Sequence, residues 1–273
     1  MEEQKKTMRD LQFYQQVDHL QKECRGRAFN LPVFYYDVTA VMAGFLTPLE
    51  KVQALMPSLR MKPLRATPWH AVTMISCFEY RDSDAGPYNE VAIAFPFTLD
   101  KSAPVLTGLL SEIKRGPLAY VYKLPVTTEV AYQFGVDFYN YPKFMATIDF
   151  TRENNWIRCR LAEGGRHILT LSARQLSVNH SPRWRFHGIT TRDNLILRSE
   201  VIVNVRNQAI SRNPGHIKLE IGDHELGKEL RQLNLGRMVH YQYLPECQTI
   251  LSGVVESYDM TSQNTQVLQS GSY

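Results

Sequence analysis

The chain has 273 residues, 44% hydrophobic and 21% charged, which suits an ordinary soluble globular protein with one large domain or two small ones. A net charge of +4 and a pI near 8.8 come from scattered basic residues and favour neither nucleic acid nor a membrane as a partner. Four distant cysteines without a Cys-x-x-Cys pair argue against a zinc site or disulfide framework. With no long apolar run, these features predict a cytoplasmic protein.

The N-terminal third mixes helical and strand-like patterns. Apolar residues recur at three-residue intervals over residues 8–20, which predicts a surface helix within an N-terminal helical arm covering residues 1–30. The aromatic and β-branched stretch 33–38 predicts a strand. Residues 47–50, Thr-Pro-Leu-Glu, resemble a capping box and predict a short helix that ends by Pro57.

From residue 71 onward the pattern is overwhelmingly β. Alternating aromatic and β-branched residues predict strands over 72–80, 88–97, 120–124, 129–134, 144–150, 156–161, 167–171 and 195–205. Turn residues between the strands at 144–171 predict an antiparallel meander there.

The remaining segments suggest little additional structure. Residues 98–117 are interpreted as a helix or loop excursion, and residues 223–233 as a short helix. No repeat or linker divides the chain, so one β-rich domain is expected over residues 31–257. The polar residues 258–273 are expected to form a flexible C-terminal tail.

One lysine has unusual neighbours. Lys143 follows Pro142, and the segment around it is rich in aromatic residues: Phe138, Tyr139, Tyr141 and Phe144. A lysine held among aromatic side chains loses hydrating water, which lowers its pKa toward the range where the nucleophilic free amine exists. The alternative is a lysine that lays its methylene stem along a ring and sends its charge to solvent.

The segment around Lys143 resembles a family signature. A glycine at position 135, a proline seven residues later, the lysine directly after it and Tyr141 before the proline are similar to the signature of the acetoacetate decarboxylase family. Residues 86–95 resemble the Tyr-x-Glu strand of that family, with Glu90 in the position of its active-site glutamate. The resemblance runs from about Val33 to Val255.

The resemblance implies a fold and a chemistry. The implied fold is mainly β (α+β), a curved antiparallel sheet closing into a cone-like barrel with a few peripheral helices. Lys143 is the implied Schiff-base nucleophile and Glu90 its proton shuttle, while Tyr88, Tyr141 and Phe144 are the predicted substrate-binding residues. The implied partner is a small keto compound; neither metal nor cofactor is expected, and a homo-oligomer is predicted.

The chain departs from the family pattern at three places. Phe144 stands where the family has a second lysine. Alignment places Asp37 or Val38 where a pocket arginine is expected, and Ile75 where a further glutamate is expected. A buried arginine is the natural partner of a substrate carboxylate, so these departures favour an apolar or larger keto substrate over acetoacetate.

Three functions are compatible with these patterns. The leading one is a Schiff-base lyase that decarboxylates a keto acid, with an aldolase-dehydratase or cyclase of secondary metabolism as its close alternative. A non-catalytic binding protein on the same scaffold is the second. The third is a nucleic-acid-binding β-protein built on residues 183–187, which strand alternation disfavours because the aromatic and basic side chains would face opposite ways.

Overall fold

The computed structural model describes residues 11–15, 17–101 and 116–261, most of them in strands. In chain order the strands are β1 (Leu20–Cys24), β2 (Arg27–Leu31), β3 (Val33–Pro48), β4 (Met61–Pro63), β5 (Arg65–Thr67), β6 (His70–Ser83), β7 (Tyr88–Leu99), β8 (Leu118–Lys123), β9 (Thr147–Glu153), β10 (Trp156–Glu163), β11 (Arg166–Arg174), β12 (Asn179–His180), β13 (Trp184–Arg192), β14 (Leu195–Ser211), β15 (Ile217–Ile221) and β16 (Met238–Asp259). The α-helices described are α1 (Leu49–Leu55), α2 (Glu129–Tyr139) and α3 (Glu225–Gln232).

Seven strands form a closed barrel. Neighbours pair in the order β7, β8, β13, β14, β16, β3 and β6, and β6 pairs with β7 to complete the ring. The pairing is antiparallel except between β8 and β13, which run parallel. Closure removes the exposed edges that an open sheet would present. The predicted mainly β fold, a curved sheet closed into a barrel with few helices, is confirmed.

A second sheet packs against one side of the barrel. It has the order β15, β11, β10, β9, and β9 to β11 form the predicted antiparallel meander. Buried residues of β3, β6 and β7 pack against this sheet and against α3, as Phe45, Ile75, Ile93, Leu169 and Leu230 illustrate. We call this layer the inter-sheet core.

The opposite face of the barrel strands forms a different cluster. All seven barrel strands contribute to it, which places it inside the barrel, and the buried face of α2 adds Ala131, Phe134 and Tyr139. We call it the interior cluster. Because successive side chains of a strand point to opposite faces, Ile93 of β7 belongs to the inter-sheet core while Tyr88 belongs to the interior cluster.

The helix α2 corrects a sequence prediction. Residues 129–134 were expected to form a strand, yet they begin a helix. Thr128 caps this helix by accepting a hydrogen bond from the Ala131 amide. Ala131, Phe134, Gly135 and Tyr139 are buried at helical spacing, so burial of this face outweighs the strand preference of the individual residues.

The N-terminal helix prediction is also wrong in the described residues. Only Leu11–Phe13 forms a short 3-10 helix there, and β1 and β2 form an antiparallel hairpin within the arm that was expected to be helical. Phe13 and Tyr14, which are adjacent in sequence, are buried against Phe34 and Ile250, whereas Leu11 and Leu20 of the expected helical stripe are exposed. The division into arm, domain and tail stays a prediction.

Other local predictions had mixed outcomes. The short helix at Leu49–Leu55 is confirmed, but Thr47 does not cap it; Thr47 lies in β3 and shares a hydrogen bond with Thr73. The helix predicted after residue 223 is confirmed as α3. The excursion predicted over 98–117 lies mostly outside the described residues.

Among the helices described, none has the length and apolarity needed to cross a membrane.

The cap of α2 provides a test of this local structure. We expect Thr128→Ala to lower the free energy of unfolding by about 1 kcal/mol, since the first turn of the helix loses an acceptor for its unpaired amides. Thr128→Ser, which keeps the hydroxyl, should remain close to the parent. Urea denaturation followed by circular dichroism measures both, and equal stability of the alanine and serine variants would contradict the capping role.

Candidate active site

The chain leaves α2 through a sharp turn just before Lys143. Asn140 adopts a left-handed conformation with φ of 52°, which asparagine tolerates better than most residues. Its amide donates to the carbonyls of Gly135 and Val136, and the Tyr141 amide also donates to Gly135, at 3.0 Å. The helix therefore ends here, and the following residues run in a new direction.

Backbone pairing then fixes the segment that carries Lys143. The Leu124 amide donates to the Pro142 carbonyl at 3.1 Å, and the Val126 amide donates to the Phe144 carbonyl at 3.0 Å. Val126 also forms a bridge to Glu90 of β7. Residue 126 thus lies between the Lys143 segment and β7, which brings the two predicted catalytic residues to neighbouring backbone positions.

Lys143 and Glu90 form a buried ion pair. The Lys143 Nζ lies 3.0 Å from Glu90 Oε2 and donates a hydrogen bond to it. The lysine side chain is only 2% exposed and the glutamate side chain 9%. The sequence predicted both residues as catalytic, and the structure brings their functional groups into direct contact.

Two opposing effects act on the lysine. Burial lowers the pKa of Lys143, and this is the larger effect, while the charge of and hydrogen bond to Glu90 act to raise it. The net direction is downward. A lowered pKa increases the fraction of free amine at a given pH, which is the form that attacks a carbonyl carbon.

Aromatic rings surround the ammonium group. The Lys143 Nζ lies 4.8 Å from the centroid of Phe134 and 5.6 Å from that of Tyr88. These rings replace hydrating water with a weak cation-π attraction. The desolvation expected from the local sequence is thus present, but Phe134, which belongs to α2, supplies the closer of these two rings.

The second oxygen of Glu90 is bound by a tyrosine. Tyr80 donates its hydroxyl proton to Glu90 Oε1 at 3.2 Å, and its ring packs 4.6 Å from that of Tyr88. The Tyr88 hydroxyl in turn shares a hydrogen bond of 3.1 Å with that of Tyr35. Burial raises the pKa of these three tyrosines well above the ordinary value, so they are neutral hydrogen-bonding groups at physiological pH.

The three predicted substrate-binding residues lie in two different places. Tyr88 and Tyr141 belong to the interior cluster, two of whose rings lie near Lys143 Nζ, and the Tyr141 hydroxyl shares a hydrogen bond of 2.7 Å with Ser199. Phe144 packs instead against the inter-sheet core. Neighbouring side chains of an extended segment point in opposite directions, which separates Phe144 from Lys143.

Some residues of the site were missed by the sequence analysis. Tyr80 was assigned only to a strand, although pairing of β6 with β7 places it opposite Tyr88. A signal was present in the sequence: Phe78 and Tyr80 stand two residues apart on one strand, as do Tyr88 and Glu90 on the next. Residues two apart on a strand share a face, so each pair is expected to point to one side of the sheet. Phe134 was missed because α2 was predicted as a strand.

Positions 37, 38 and 75, where the family pattern has an arginine and a glutamate, lie in different parts of the structure. Val38 is fully buried in the interior cluster, whereas Asp37 forms an ion pair with Arg81. Ile75 lies in the inter-sheet core, on the face of β6 opposite to Tyr80. A glutamate at position 75 would therefore point away from Lys143.

The other polar motifs have structural partners. His224 caps α3, and its Nε2 lies 2.9 Å from Glu163. Arg185 pairs with Glu200, while Trp184 and Phe186 pack against the interior cluster. On this strand the basic Arg185 and the aromatic Trp184 and Phe186 therefore have opposite orientations, as predicted. His187, two residues after Arg185, is buried.

The fold and the site together define a class of protein: a closed β-barrel that holds a paired lysine and carboxylate in its interior. The family model described as acetoacetate decarboxylase (ADC) matches residues 22–260. The chain therefore belongs to the acetoacetate decarboxylase family, as the resemblance in its sequence indicated. No curated protein matches the chain.

Solved structures share the fold. An acetoacetate decarboxylase from Legionella pneumophila subsp. pneumophila str. Philadelphia 1 is 15% identical, with a TM-score of 0.61 over 85% of this chain and 92% of that one. The enduracididine biosynthesis enzyme MppR, complexed with the condensation product of pyruvate and imidazole 4-carboxaldehyde, is 14% identical, with a TM-score of 0.58 over 85% and 90%. An acetoacetate decarboxylase-like enzyme from Sphingomonas wittichii RW1 is 13% identical, with a TM-score of 0.52 over 84% and 93%.

The signature glycine has a physical role that can be tested. A Cβ on Gly135 would lie 2.3 Å from Lys143 Cε, so Gly135→Ala should displace the lysine and lower the free energy of unfolding by about 1 to 3 kcal/mol through overpacking. This is opposite to the usual effect of Gly→Ala inside a helix. Chemical denaturation measures the change.

Two further variants isolate the contact. Gly253→Ala is the control, because no heavy atom lies within 4 Å of the position that its Cβ would take. Lys143→Ala should remove the penalty of Gly135→Ala when the two are combined. A penalty of equal size in both backgrounds would show that Lys143 is not what excludes the methyl group.

Proposed function

We propose that this protein is a lyase that forms a Schiff base between Lys143 and a ketone or keto acid. The observation that carries the proposal is the buried contact of 3.0 Å between Lys143 Nζ and Glu90 Oε2. It places a lysine with a lowered pKa beside a group that can accept and return a proton. Membership of the acetoacetate decarboxylase family supports the same chemistry.

The first step forms the imine. The free amine of Lys143 attacks the carbonyl carbon, and the electrons of the C=O bond move to oxygen. Loss of this oxygen as water leaves a protonated imine, which withdraws electrons from the neighbouring carbon. Glu90 is close enough to Nζ to take a proton from the Lys143 ammonium and so free the amine. After attack, one amine proton passes to the oxygen, and Glu90 returns its proton to the resulting hydroxyl, which leaves as water.

The second step breaks a carbon–carbon bond. In a β-keto acid the electrons of the bond to the carboxylate flow toward the iminium nitrogen, carbon dioxide leaves and an enamine forms. Protonation of the enamine carbon and hydrolysis by water then release the product ketone and free Lys143. Decarboxylation of a keto acid is the leading candidate reaction.

An aldol-type reaction is the second candidate. The same enamine can attack an aldehyde, or form when a β-hydroxy ketone loses an aldehyde, with the hydroxyl proton passing to a base such as Glu90. The neutral phenols of Tyr35 and Tyr88 favour this alternative, because the hydrogen bond that they share uses one of their two protons and leaves the other to donate to an uncharged oxygen. The condensation product bound to MppR supports it by analogy.

Several properties beyond the reaction stay predictions. We expect a small-molecule keto substrate and a cytoplasmic homo-oligomer. Tyr88 and Tyr141 remain the proposed substrate-binding residues, since both lie in the interior cluster. The position of Phe144 in the inter-sheet core favours an indirect role, in which its packing supports the segment that carries Lys143.

Borohydride trapping tests the imine. Incubation with a panel of keto acids and ketones followed by reduction should leave an adduct on the peptide containing Lys143, and Lys143→Ala should abolish it. Lys123→Ala, which removes a partly exposed lysine, should leave the adduct unchanged. Because burial lowers the pKa of Lys143, the initial rate should rise with pH around a midpoint below that of an ordinary lysine. If no compound of the panel leaves an adduct at any pH up to the pKa of an ordinary lysine, about 10.4, the proposal is rejected.

Replacement of Glu90 tests the proton shuttle. Glu90→Gln should leave imine formation possible while reducing turnover about 10²- to 10⁴-fold, the usual contribution of general acid/base assistance. Since Glu90 raises the pKa of Lys143, its removal should also move the midpoint of trapping to lower pH. The exposed Glu153→Gln serves as the matched control. Turnover within a few fold of the parent would remove Glu90 from the mechanism.

A further inference from the structure

The interior cluster contains a buried hydroxyl that the mechanism above does not use. Tyr139 is 1% exposed, and its hydroxyl finds no hydrogen-bond partner among the described protein atoms. Leaving a buried polar group unpaired destabilises the folded state, so folded proteins pair nearly all such groups. An exception in the cluster whose Phe134 and Tyr88 rings lie near Lys143 Nζ points to a function for that hydroxyl.

The surroundings of Tyr139 place it in the site. Its ring stacks on that of Tyr141 at 5.2 Å and meets Phe134 edge to face at 6.3 Å, and Phe134 is the ring 4.8 Å from Lys143 Nζ. The Tyr139 carbonyl accepts a hydrogen bond of 2.6 Å from Thr190, which anchors the end of α2. The ring is thus held in place, while its hydroxyl has no partner among the described atoms.

The hydroxyl is also electrically neutral. Burial raises the pKa of Tyr139 well above the ordinary value, with smaller contributions from Tyr35 and Tyr141. A neutral phenol can donate one hydrogen bond and accept others, but it does not neutralise an anion as a guanidinium does. A second carboxylate placed here would also share the buried interior with Glu90, and like charges in such a setting repel.

We propose that the Tyr139 hydroxyl binds the substrate, by a hydrogen bond to an uncharged oxygen that the ketone carries in addition to its carbonyl. This inference rests on the proposed imine at Lys143. Of the two candidate reactions it selects the aldol-type one over decarboxylation of a keto acid, because it narrows the substrate class to hydroxy ketones and diketones. A ketone without the second oxygen leaves the hydroxyl unpaired, and sites with a buried polar group discriminate against ligands that cannot pair it. Trp184, whose buried indole N–H also lacks a partner among the described atoms and which packs against the same cluster, is a second donor available to such a substrate.

Matched ketones test this specificity. One series is butanone and its terminal hydroxy derivative; the other is benzylacetone, its para-hydroxy derivative and its para-carboxylate. Calorimetry gives the dissociation constants, and borohydride reduction gives the fraction trapped at Lys143. In at least one series the parent should bind the hydroxylated ketone about 10-fold more tightly than the plain one, as expected for one added hydrogen bond to a buried group.

Tyr139→Phe should bring the ratio of the two dissociation constants close to one, mainly by weakening the hydroxylated ketone. Tyr122→Phe is the matched control: it removes a phenol hydroxyl whose partner is Glu229 and whose ring packs against the inter-sheet core, so the ratio should persist. The unliganded Tyr139→Phe variant should be no less stable than the parent, since the hydroxyl has no partner to lose among the described atoms.

The remaining outcomes each count against the role of Tyr139, against the imine, or against both. An unchanged ratio in Tyr139→Phe, a parent without hydroxyl preference in both series, or preferred binding of the para-carboxylate overturns the inference. A marked loss of stability in Tyr139→Phe assigns the hydroxyl a structural role and also overturns it. Binding without trapping would reject the imine, while the ratio of dissociation constants would still decide the role of Tyr139. Failure of every ketone to bind rejects both proposals.

Discussion

The buried pairing of Lys143 with Glu90 is the constraint on which the site depends. Taking either charge out of water is costly, and a buried ion pair recovers that cost only when geometry and further hydrogen bonds are favourable. Here the lysine donates to one carboxylate oxygen and Tyr80 donates to the other. A buried ion pair is weak evidence of a contribution to stability, and this supports the chemical role proposed for Lys143 and Glu90.

The two faces of the barrel strands make this arrangement possible. One face is mainly apolar and packs against the second sheet, whereas the other gathers phenols, Glu90 and Lys143 around α2. Neutral tyrosines can satisfy the carboxylate without adding a second charge. The lysine keeps a lowered pKa because Glu90 only partly offsets the effect of burial.

The same two-faced geometry decides where the departures from the family pattern lie. Where the family carries a second lysine, this chain has Phe144, whose ring packs into the inter-sheet core. Burial is accordingly the main cause of the lowered Lys143 pKa. At position 38, where the alignment allowed for an arginine, a buried valine adds to the apolar character of the interior.

The sequence alone determined the β-rich fold, the meander, the family and the pair of candidate residues Lys143 and Glu90. These depend on local alternation, turn residues and a motif of fixed spacing, all of which are readable along the chain. The start of α2 was mispredicted because β-branched and aromatic residues there favour a strand, whereas burial of one helical face favours a helix.

Only the tertiary structure decided which side chains meet Lys143. Phe134 and Gly135 approach it from α2, and Tyr80 reaches Glu90 from the neighbouring strand. Phe144, adjacent in sequence, is directed elsewhere. Contacts of this kind follow from strand register and from how a helix packs on a sheet, which depend on residues far apart in the chain.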